Sequence, residues 1–430
     1  MKKHFNIIFG TALAVILLNG CSVDGDLSAD DSSYFDYTQS SEDLLTGETN
    51  VSDSSFDMNI ESDKEYDYED AEIRIMYPTV SADGLYDIKK IDFPETINGL
   101  KCDIGVSLRL DMPSASELIV GLEGETLHTG EGLGQLKYSE YEFGIYNIES
   151  GEYKTLVECD TERFYNFYIM AYDDDYVIMN CIDKRAGLGA HFELYIYDIA
   201  AGTFKPVFEY TTNEDGYSIG NDDSNVILKN GRIYFVDCGR DPDGGDWLRA
   251  SLYEYDIESG RIVNSILDAH RPMEYGDDVL YFSCGADNDD IIRSVSGKYE
   301  FKVYKGPDND WEISDVGTYK DRFFGLYSKA RETYHDVVWD WSSDKPVFEF
   351  PYMNPVEDFI VSDNGMAAFC YTYPDIPVLY DIENGRVVEF DRCGKQRSYF
   401  WFCKNSDSAV MAFNNGSSEQ NEYYLISPKK

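Results

Sequence analysis

Tyr146-Asn147-Ile148-Glu149-Ser150-Gly151 is a six-residue segment that recurs along the chain and decides its fold. In each copy an apolar stretch ends at Asp or Asn, which favour turns, and Gly follows at a position suited to positive φ. The pattern predicts a strand, a type I turn and a second strand. The other copies are Tyr197-Asp198-Ile199-Ala200-Ala201-Gly202, Tyr255-Asp256-Ile257-Glu258-Ser259-Gly260 and Tyr380-Asp381-Ile382-Glu383-Asn384-Gly385.

A second series of turns lies upstream of these hairpins, and each turn is followed by an apolar run. Asn230-Gly231 and Asn364-Gly365 are clear members, and the centres of the series lie near residues 115, 174, 231, 277, 321, 364 and 407. Two hairpins in each unit of this length are typical of four-stranded propeller blades. Seven centres predict an all-β fold, a single β-propeller of seven antiparallel blades over residues 71–430. The spacing also admits six or eight blades.

The two ends of this region complement each other. The last unit has room for about three strands. A strand-like segment, residues 86–93, precedes the first unit and is left over. We therefore predict that this segment pairs with the final blade near residues 423–427 and closes the ring, because a closed ring leaves no open sheet edge.

One repeat also carries a family resemblance. Val361-Ser362-Asp363-Asn364-Gly365-Met366-Ala367-Ala368-Phe369 resembles the Ser-Pro-Asp-Gly-x-x-Ile-Ala-Phe repeat of TolB-like and related WD-type propellers. The resemblance covers roughly residues 85–430 and departs from the family pattern in lacking the usual Pro. It implies a fold and not an activity.

The N-terminus has the features of an export signal. A basic start at Lys2 and Lys3 precedes an apolar run over residues 5–18, which is too short for a membrane-spanning helix. Leu18-Asn19-Gly20-Cys21 resembles the bacterial lipobox, although Asn19 departs from the usual small residue. The resemblance implies that residues 1–20 are a lipoprotein signal peptide and that Cys21 carries a lipid anchor. The alternative is an ordinary signal peptide with an incidental Cys.

Residues 21–70 are predicted to be an acidic, disordered tether. Low hydrophobicity and one-signed charge favour disorder and an extended linker. Removing residues 1–20 takes away two lysines and no acid, which moves the net charge of the chain from −45 to −47. Such a field repels polyphosphates, so nucleic acid is excluded as a partner. The membrane, through Cys21, and a protein or glycan ligand remain as expected partners.

Eight cysteines remain after Cys21, and an even number in an exported chain suggests disulfides. Four of them follow a turn by five to seven residues at the end of an apolar strand, so we expect the same buried position in successive repeats, too far apart to be bridged. These four are Cys181, Cys238, Cys284 and Cys370. Cys393 and Cys403 are near enough in sequence to pair across a hairpin.

The candidate sites in the sequence are weak. Asp241, Asp243 and Asp246 alternate around glycines as calcium ligands do, but the run lacks the frame of an EF-hand, so an acidic solvated loop is favoured over a metal site. Gly216-Tyr217-Ser218-Ile219-Gly220 matches a nucleophile elbow, but its flanks favour a loop between blades. The histidines are scattered, the glycines near residue 132 follow no strand into a helix, and no cofactor and no catalytic set is predicted.

Composition and repeats therefore favour a membrane-anchored extracytoplasmic propeller that acts as a non-catalytic binding module for a protein, peptide or glycan. One alternative is a polysaccharide-active lyase or hydrolase whose residues converge on the mouth of the propeller channel; an Arg or His cluster there would support it. Another is a structural subunit of an envelope assembly, which a large exposed apolar patch would indicate.

Overall fold

The protein is an all-β, seven-bladed propeller. The computed structural model describes residues 74–103, 112–129, 135–160, 162–183, 192–207, 220–221, 226–240, 248–284, 290–303, 312–329, 335–351, 358–370, 378–390, 397–403, 406–414 and 422–429. Within these ranges one 3-10 helix, Ala82–Gly84, interrupts the strands. No helix in the described part of the chain is long and apolar enough to cross a membrane.

Three strands precede the first blade, and the strands of the seven blades then follow in chain order. The N-terminal strands are β1 (Arg74–Ile75), β2 (Thr79–Ser81) and β3 (Tyr86–Ile91). Blade 1 holds β4 (Thr96–Ile97), β5 (Leu100–Asp103), β6 (Glu117–Thr129), β7 (Gln135–Asn147) and β8 (Tyr153–Glu158). Blade 2 holds β9 (Phe164–Tyr172), β10 (Tyr176–Asp183), β11 (Phe192–Asp198) and β12 (Thr203–Pro206). Blade 3 holds β13 (Gly220–Asn221), β14 (Ile227–Lys229), β15 (Arg232–Arg240), β16 (Leu248–Asp256) and β17 (Arg261–Leu267).

Blade 4 holds β18 (Ala269–Tyr275), β19 (Asp278–Cys284), β20 (Asp290–Ser294) and β21 (Glu300–Lys302). Blade 5 holds β22 (Glu312–Tyr319), β23 (Arg322–Lys329), β24 (His335–Asp340) and β25 (Lys345–Pro351). Blade 6 holds β26 (Asp358–Val361), β27 (Met366–Cys370), β28 (Val378–Asp381) and β29 (Arg386–Glu389). Blade 7 holds β30 (Arg397–Phe402), β31 (Ala409–Asn414) and β32 (Glu422–Pro428). The first strands of neighbouring blades contact one another around the axis of the ring, and the fourth strands lie outermost.

Seven clusters of buried side chains form the core, and each cluster lies at the interface between two neighbouring blades. The interface of blades 5 and 6, for example, joins Phe324 and Phe348 to Tyr380 and Val387, all of them fully buried. Each blade is therefore apolar on both faces, which explains why its strands are rich in Val, Ile, Phe and Tyr.

The recurrent hairpin segments form the turns between third and fourth strands, as predicted. The Asp or Asn that ends the third strand accepts hydrogen bonds from backbone N–H groups of the turn; Asp256 Oδ1, for example, lies 3.0 Å from the N of Glu258. The Gly that follows adopts positive φ, 66° at Gly260. In three of the four copies the hydroxyl of the preceding Tyr lies close beside that Gly, as that of Tyr255 does beside Gly260. Asn147, Asp198 and Asp381 make the equivalent contacts.

The predicted blade count and ring closure are both confirmed. The seven turn centres lie near residues 115, 174, 231, 277, 321, 364 and 407. Each lies between the first and second strands of a four-stranded blade, where β5 counts as the first strand of blade 1, with β4 as an extra strand, and β13 and β14 together form the first strand of blade 3. The antiparallel pairing of β3 with β32 places Tyr86 opposite Pro428 and Ile91 opposite Tyr423. Blade 7 thus takes its fourth strand from the other end of the propeller domain.

Two further contacts of the N-terminal segment were not predicted. β1 adds antiparallel to the outer strand of blade 5, opposite Phe348 and Glu349, and β2 adds parallel to the outer strand of blade 6, opposite Val387 to Glu389. The segment therefore crosses the outer edges of blades 5, 6 and 7 in turn. Strands of two or three residues leave no periodic signal, so they could not be predicted from the sequence.

The cysteines lie where the repeats place them. Cys181, Cys238, Cys284 and Cys370 all lie in the second strands of their blades, at or near the C-terminal end. Within the described residues, Cys102, Cys159, Cys181 and Cys403 form no disulfide. Burial raises the pKa of the Cys159 thiol well above its usual range, with Cys181 nearby adding to the effect. Cys393 lies outside the described residues.

Candidate functional site

Most of the positions singled out in the sequence fall outside the described residues. Asp241, Asp243 and Asp246 do so, as does Cys21. Of the Gly-x-Ser-x-Gly segment only Gly220 is described, and it begins β13 opposite Cys238 rather than lying in a loop. Within the described ranges no group of three or more His, Cys, Asp or Glu side chains is arranged to hold a metal ion.

A polar cluster instead appears on the first strands of blades 3, 4 and 5. Two of these strands are irregular. The pairing of β18 with β19 shifts between His270 and Met273, and Arg271 within that bulge has a φ of 49°. The pairing of β22 with β23 shifts between Ile313 and Asp315. Bulges of this kind redirect side chains and are common beside binding and active sites.

The two bulges bring opposite charges together across the interface of blades 4 and 5. Arg271 Nη1 lies 3.8 Å from Asp315 Oδ1, and each side chain is 34% exposed. This separation is an ion pair but longer than a hydrogen bond. A guanidinium carries five N–H donors, so Arg271 can offer donors to a ligand in addition to this pair. The neighbouring Asp315 carboxylate also accepts a hydrogen bond from the Val316 N–H at 2.8 Å.

A second ion pair extends the cluster into blade 3. Lys229 Nζ lies 3.0 Å from Glu274 Oε2 and is largely buried, whereas Glu274 remains partly exposed. The Thr318 hydroxyl donates to the backbone carbonyl of Glu274 at 3.3 Å, which ties β22 to β18. We use the name first-strand cluster for the four residues of these two ion pairs together with the neighbouring His270 and Thr318. Its six members are Lys229, His270, Arg271, Glu274, Asp315 and Thr318.

The position of the cluster follows from strand direction. Strands alternate in direction within a blade, so the turns from first to second and from third to fourth strand share one face of the ring. Arg271 and Asp315 lie in the first halves of their strands, toward the opposite face. Lys229, Glu274 and Thr318 lie at the other ends of their strands, beside the turns. The face toward which Arg271 and Asp315 lie is where second strands end and fourth strands lead to the next blade. Binding residues of propellers and barrels concentrate at such strand ends because a rigid scaffold positions them there.

Sequence reasoning missed this cluster, yet one signal was present. Pro272 follows Arg271 shortly before the predicted turn near residue 277, and Pro in a sheet is confined to edge strands and bulges. The segment Ala269-His270-Arg271-Pro272 is therefore typical of a bulged edge strand, and it places two basic side chains there. The partner Asp315 lay beyond sequence reasoning, because its approach to Arg271 depends on how two blades pack.

A second polar group is structural. Asp340 is fully buried beneath the turn of blade 5 and pairs with Arg322. Burial alone would raise the pKa of Asp340, but hydrogen bonds from Ser342 and the positive charge of Arg322 outweigh it and hold the pKa below its ordinary value. Tyr77 of the N-terminal segment adds a hydrogen bond of 3.1 Å to Ser343 in the same turn. This network fastens the segment between β1 and β2 to blade 5.

Comparison with known proteins identifies no family for this chain. No family model and no curated protein matches the chain. Among solved structures, the mitotic checkpoint complex matches 88% of this chain and 99% of its own, at 12% identity and a TM-score of 0.42. The β-propeller domain of the Trilobed protease from Pyrococcus furiosus matches 74% of this chain and 93% of its own, at 11% identity and a TM-score of 0.44.

Acylaminoacyl peptidase from Pyrococcus horikoshii matches 73% of this chain at 15% identity and a TM-score of 0.44. The match spans half of the peptidase's length. At such identities and TM-scores no property of these proteins is carried over to this chain. The seven blades rest on the strand pairing of the chain itself.

Proposed function

We propose that this chain is an extracytoplasmic lipoprotein, anchored to the bacterial cell membrane by lipid on Cys21, whose propeller is a non-catalytic binding module for a protein, peptide or glycan. The observation that carries the binding role is the Arg271–Asp315 pair on the first strands of blades 4 and 5. The Arg271 guanidinium, a hydrogen-bond donor, lies beside the Asp315 carboxylate, an acceptor. Each side chain is about one-third exposed, and both belong to strands of the propeller.

The charge balance of the first-strand cluster supports the same role. Arg271 offsets Asp315, and Lys229 offsets Glu274 nearer the turns, in a chain whose net charge is −45. The balanced donor and acceptor of the Arg271–Asp315 pair favour hydroxyl, amide or mixed-charge ligands over strongly anionic ones.

A polysaccharide-active lyase or hydrolase is the second candidate, and His270 is the observation that favours it. Imidazole transfers protons near neutral pH more readily than other side chains, and His270 adjoins the bulged Arg271. An Arg beside a general base can also hold the carboxylate of an acidic sugar.

One experiment separates the two roles. The full chain is applied to glycan and peptide arrays, and captured ligands are analysed by mass spectrometry before and after incubation. A binding module retains an unchanged ligand, and Arg271→Gln weakens capture. Arg293→Gln, which removes an exposed Arg paired with Glu300 in the same blade, is the matched control and retains capture.

The result that contradicts the binding role is equally specific. Cleaved ligand, with cleavage lost in His270→Gln, would establish the enzymatic alternative. Capture that is equally strong in Arg271→Gln and the parent would remove the first-strand cluster as the site.

A further inference from the structure

The outer strand of blade 3 differs from every other described outer strand in its exposed apolar side chains. Four large hydrophobic residues in the described part of the chain are exposed, and three of them lie on β17. Val263 is 49% exposed, Leu267 45% and Ile262 37%. β17 pairs with β16 on its inner side, and no described strand pairs with its outer side.

The other outer strands are protected in the ways that edge strands usually are. β8 carries exposed Lys154 and Glu158, β12 is four residues long and ends at Pro206, and β21 is three residues long with Glu300 and Lys302. Charge, proline and shortness all discourage another chain from pairing with an edge.

The remaining blades are covered from within the chain. β1 covers the outer strand of blade 5, β2 covers that of blade 6, and β3 is itself the outer strand of blade 7. By contrast, β17 has seven residues, and its one charge is Arg261 at the start. Among the described outer strands it alone is long, apolar and uncovered.

This molecule already shows that outer strands of its blades accept an added strand. β1 adds antiparallel to β25 and β2 adds parallel to β29, by backbone pairing over only two or three residues. β17 offers a longer edge of the same kind. Backbone pairing along such an edge supplies affinity, and alternate side chains of the incoming strand supply specificity.

We propose that β17 is a docking site for an extended segment of a partner protein, neutral or basic and apolar at alternate positions, which adds as a fifth strand to blade 3. Residues 259–267 contain no acid, whereas the chain as a whole carries 81 acidic residues. A basic or neutral partner is drawn by the overall field and meets no local carboxylate that it must desolvate along the strand.

A second copy of the chain fits this edge poorly. Two copies, each with a net charge of −45, repel one another on approach. Three of the four exposed large hydrophobic side chains of the described residues also lie on one strand, which suits a single extended segment better than the broad face of an assembly subunit. This surface lies on the outside of blade 3 and is distinct from the first-strand cluster, so each is tested separately.

The test uses a blocked eight-residue peptide of alternating lysine and valine as the probe, with the full chain at about 0.15 M salt to limit non-specific attraction. Fluorescence anisotropy measures affinity, and hydrogen exchange locates the protected amides. The control probe has the same sequence with D-valine, which keeps the charge and composition but cannot form a regular strand with L-residues. We expect the L-peptide to bind and to slow exchange in β17.

The protein variants leave the net charge unchanged. Val263→Ser combined with Leu267→Ser should weaken the L-peptide by about tenfold or more, because two exposed apolar contacts are lost. Met76→Ser removes the fourth exposed large hydrophobic residue of the described ranges, away from β17, and should leave affinity unchanged. Thermal unfolding of each variant confirms that the substitutions, all at exposed positions, leave the fold intact.

Three results would overturn the proposal. The first is that the D-valine probe binds as tightly as the L-peptide, which would show that charge alone accounts for the binding. The second is an unchanged affinity in the double variant. The third is a dimer in sedimentation that the double variant abolishes, since the occupant would then be a second copy of this chain.

Discussion

Lys90 Nζ donates a hydrogen bond to Glu422 Oε1 at 2.7 Å, although 332 residues separate them in the chain. The pair joins β3 to β32 and so marks the point where the ring closes. Both side chains are about half exposed, and exposed ion pairs contribute little to stability. The closure is therefore held by the apolar residues beside the pair, above all Ile91, which is buried between blades 7 and 1.

Ile91→Ala should lower the free energy of unfolding by about 2–4 kcal/mol, as expected when a buried Ile is truncated. Lys90→Met, one residue away on the exposed side of the same strand, should produce no measurable change. Equilibrium unfolding in denaturant measures both. A larger effect of Lys90→Met than of Ile91→Ala would show that charge, and not burial, closes the ring.

Deleting residues 74–91 should destabilise blade 7, although the deleted segment and β32 lie at opposite ends of the propeller domain. The deletion removes the buried side chains of Tyr86 and Ile91 and the partly buried side chain of Ile88. We expect the free energy of unfolding to fall by about 5 kcal/mol as a result. Hydrogen exchange should accelerate first in β32, whose pairing partner is removed.

The matched control for that deletion removes residues 22–70, the predicted tether. It should leave the thermal unfolding temperature nearly unchanged, because we expect this segment to lie outside the fold. A loss of cooperative unfolding in the control would show that the tether is part of the folded structure. Uniform exchange across all blades after deletion of 74–91 would contradict local closure by β3.

Gly317→Ala should lower the free energy of unfolding by about 1–3 kcal/mol, which is typical of overpacking. A Cβ at Gly317, on the first strand of blade 5, would overlap Val361 and approach Phe359 on the first strand of blade 6. Gly84→Ala is the control, because nothing lies within 4 Å of a Cβ placed there. Equal melting temperatures of the two variants would show that blades 5 and 6 separate more easily than their packing indicates.

The blades could be predicted from sequence because their turns are specified locally. Asp256 caps its turn with its own side chain and Gly260 supplies the positive φ, so neither depends on the rest of the fold. The repeat did not identify the hairpins of blades 4 and 5. In blade 5 Trp339 stands in place of Tyr, and Asp344, at a φ of 52°, takes the left-handed position that Gly occupies in the repeats.

The candidate sites could not be predicted in the same way, because each depends on contacts between distant strands. Arg271 meets Asp315 only after two bulged strands pack together. The exposure of β17 could not be predicted from the sequence for another reason. Its sequence, Arg261-Ile262-Val263-Asn264-Ser265-Ile266-Leu267, resembles any apolar strand, and its exposure follows from its outermost position in the blade.

Cys21→Ser should release the protein from the membrane fraction. Two or three acyl chains anchor a protein almost irreversibly, at about 0.8 kcal/mol per buried methylene, and this substitution removes the thiol that would carry the first of them. Fractionation followed by mass measurement tests the proposal, and Cys102→Ser, in a strand of the propeller, serves as the control. A Cys21→Ser protein that stays in the membrane fraction with unchanged mass would exclude lipid anchoring at this residue.

Asp340→Asn should destabilise the protein at neutral pH and have a smaller effect in acid. Because the pKa of Asp340 is lowered in the folded state, its carboxylate stabilises the fold fully above the unfolded-state pKa of about 4, and this contribution is lost as pH falls through the lower folded-state pKa. At pH 7 the free energy of unfolding should fall by about 2 kcal/mol. This is less than for a fully buried ion pair, because the Arg322 side chain is about one-quarter exposed.

Denaturant unfolding of the parent and of Asp340→Asn should therefore differ most between about pH 5 and 7, and the difference should shrink below about pH 4. Asp344→Asn makes the same chemical change in the same turn, but at an exposed position, so it should have little effect at either pH. A difference between parent and Asp340→Asn that stays constant from pH 7 to pH 3 would show that Asp340 acts through its shape and hydrogen bonds, without its charge. The Arg322 pair would then not be what fastens the turn of blade 5.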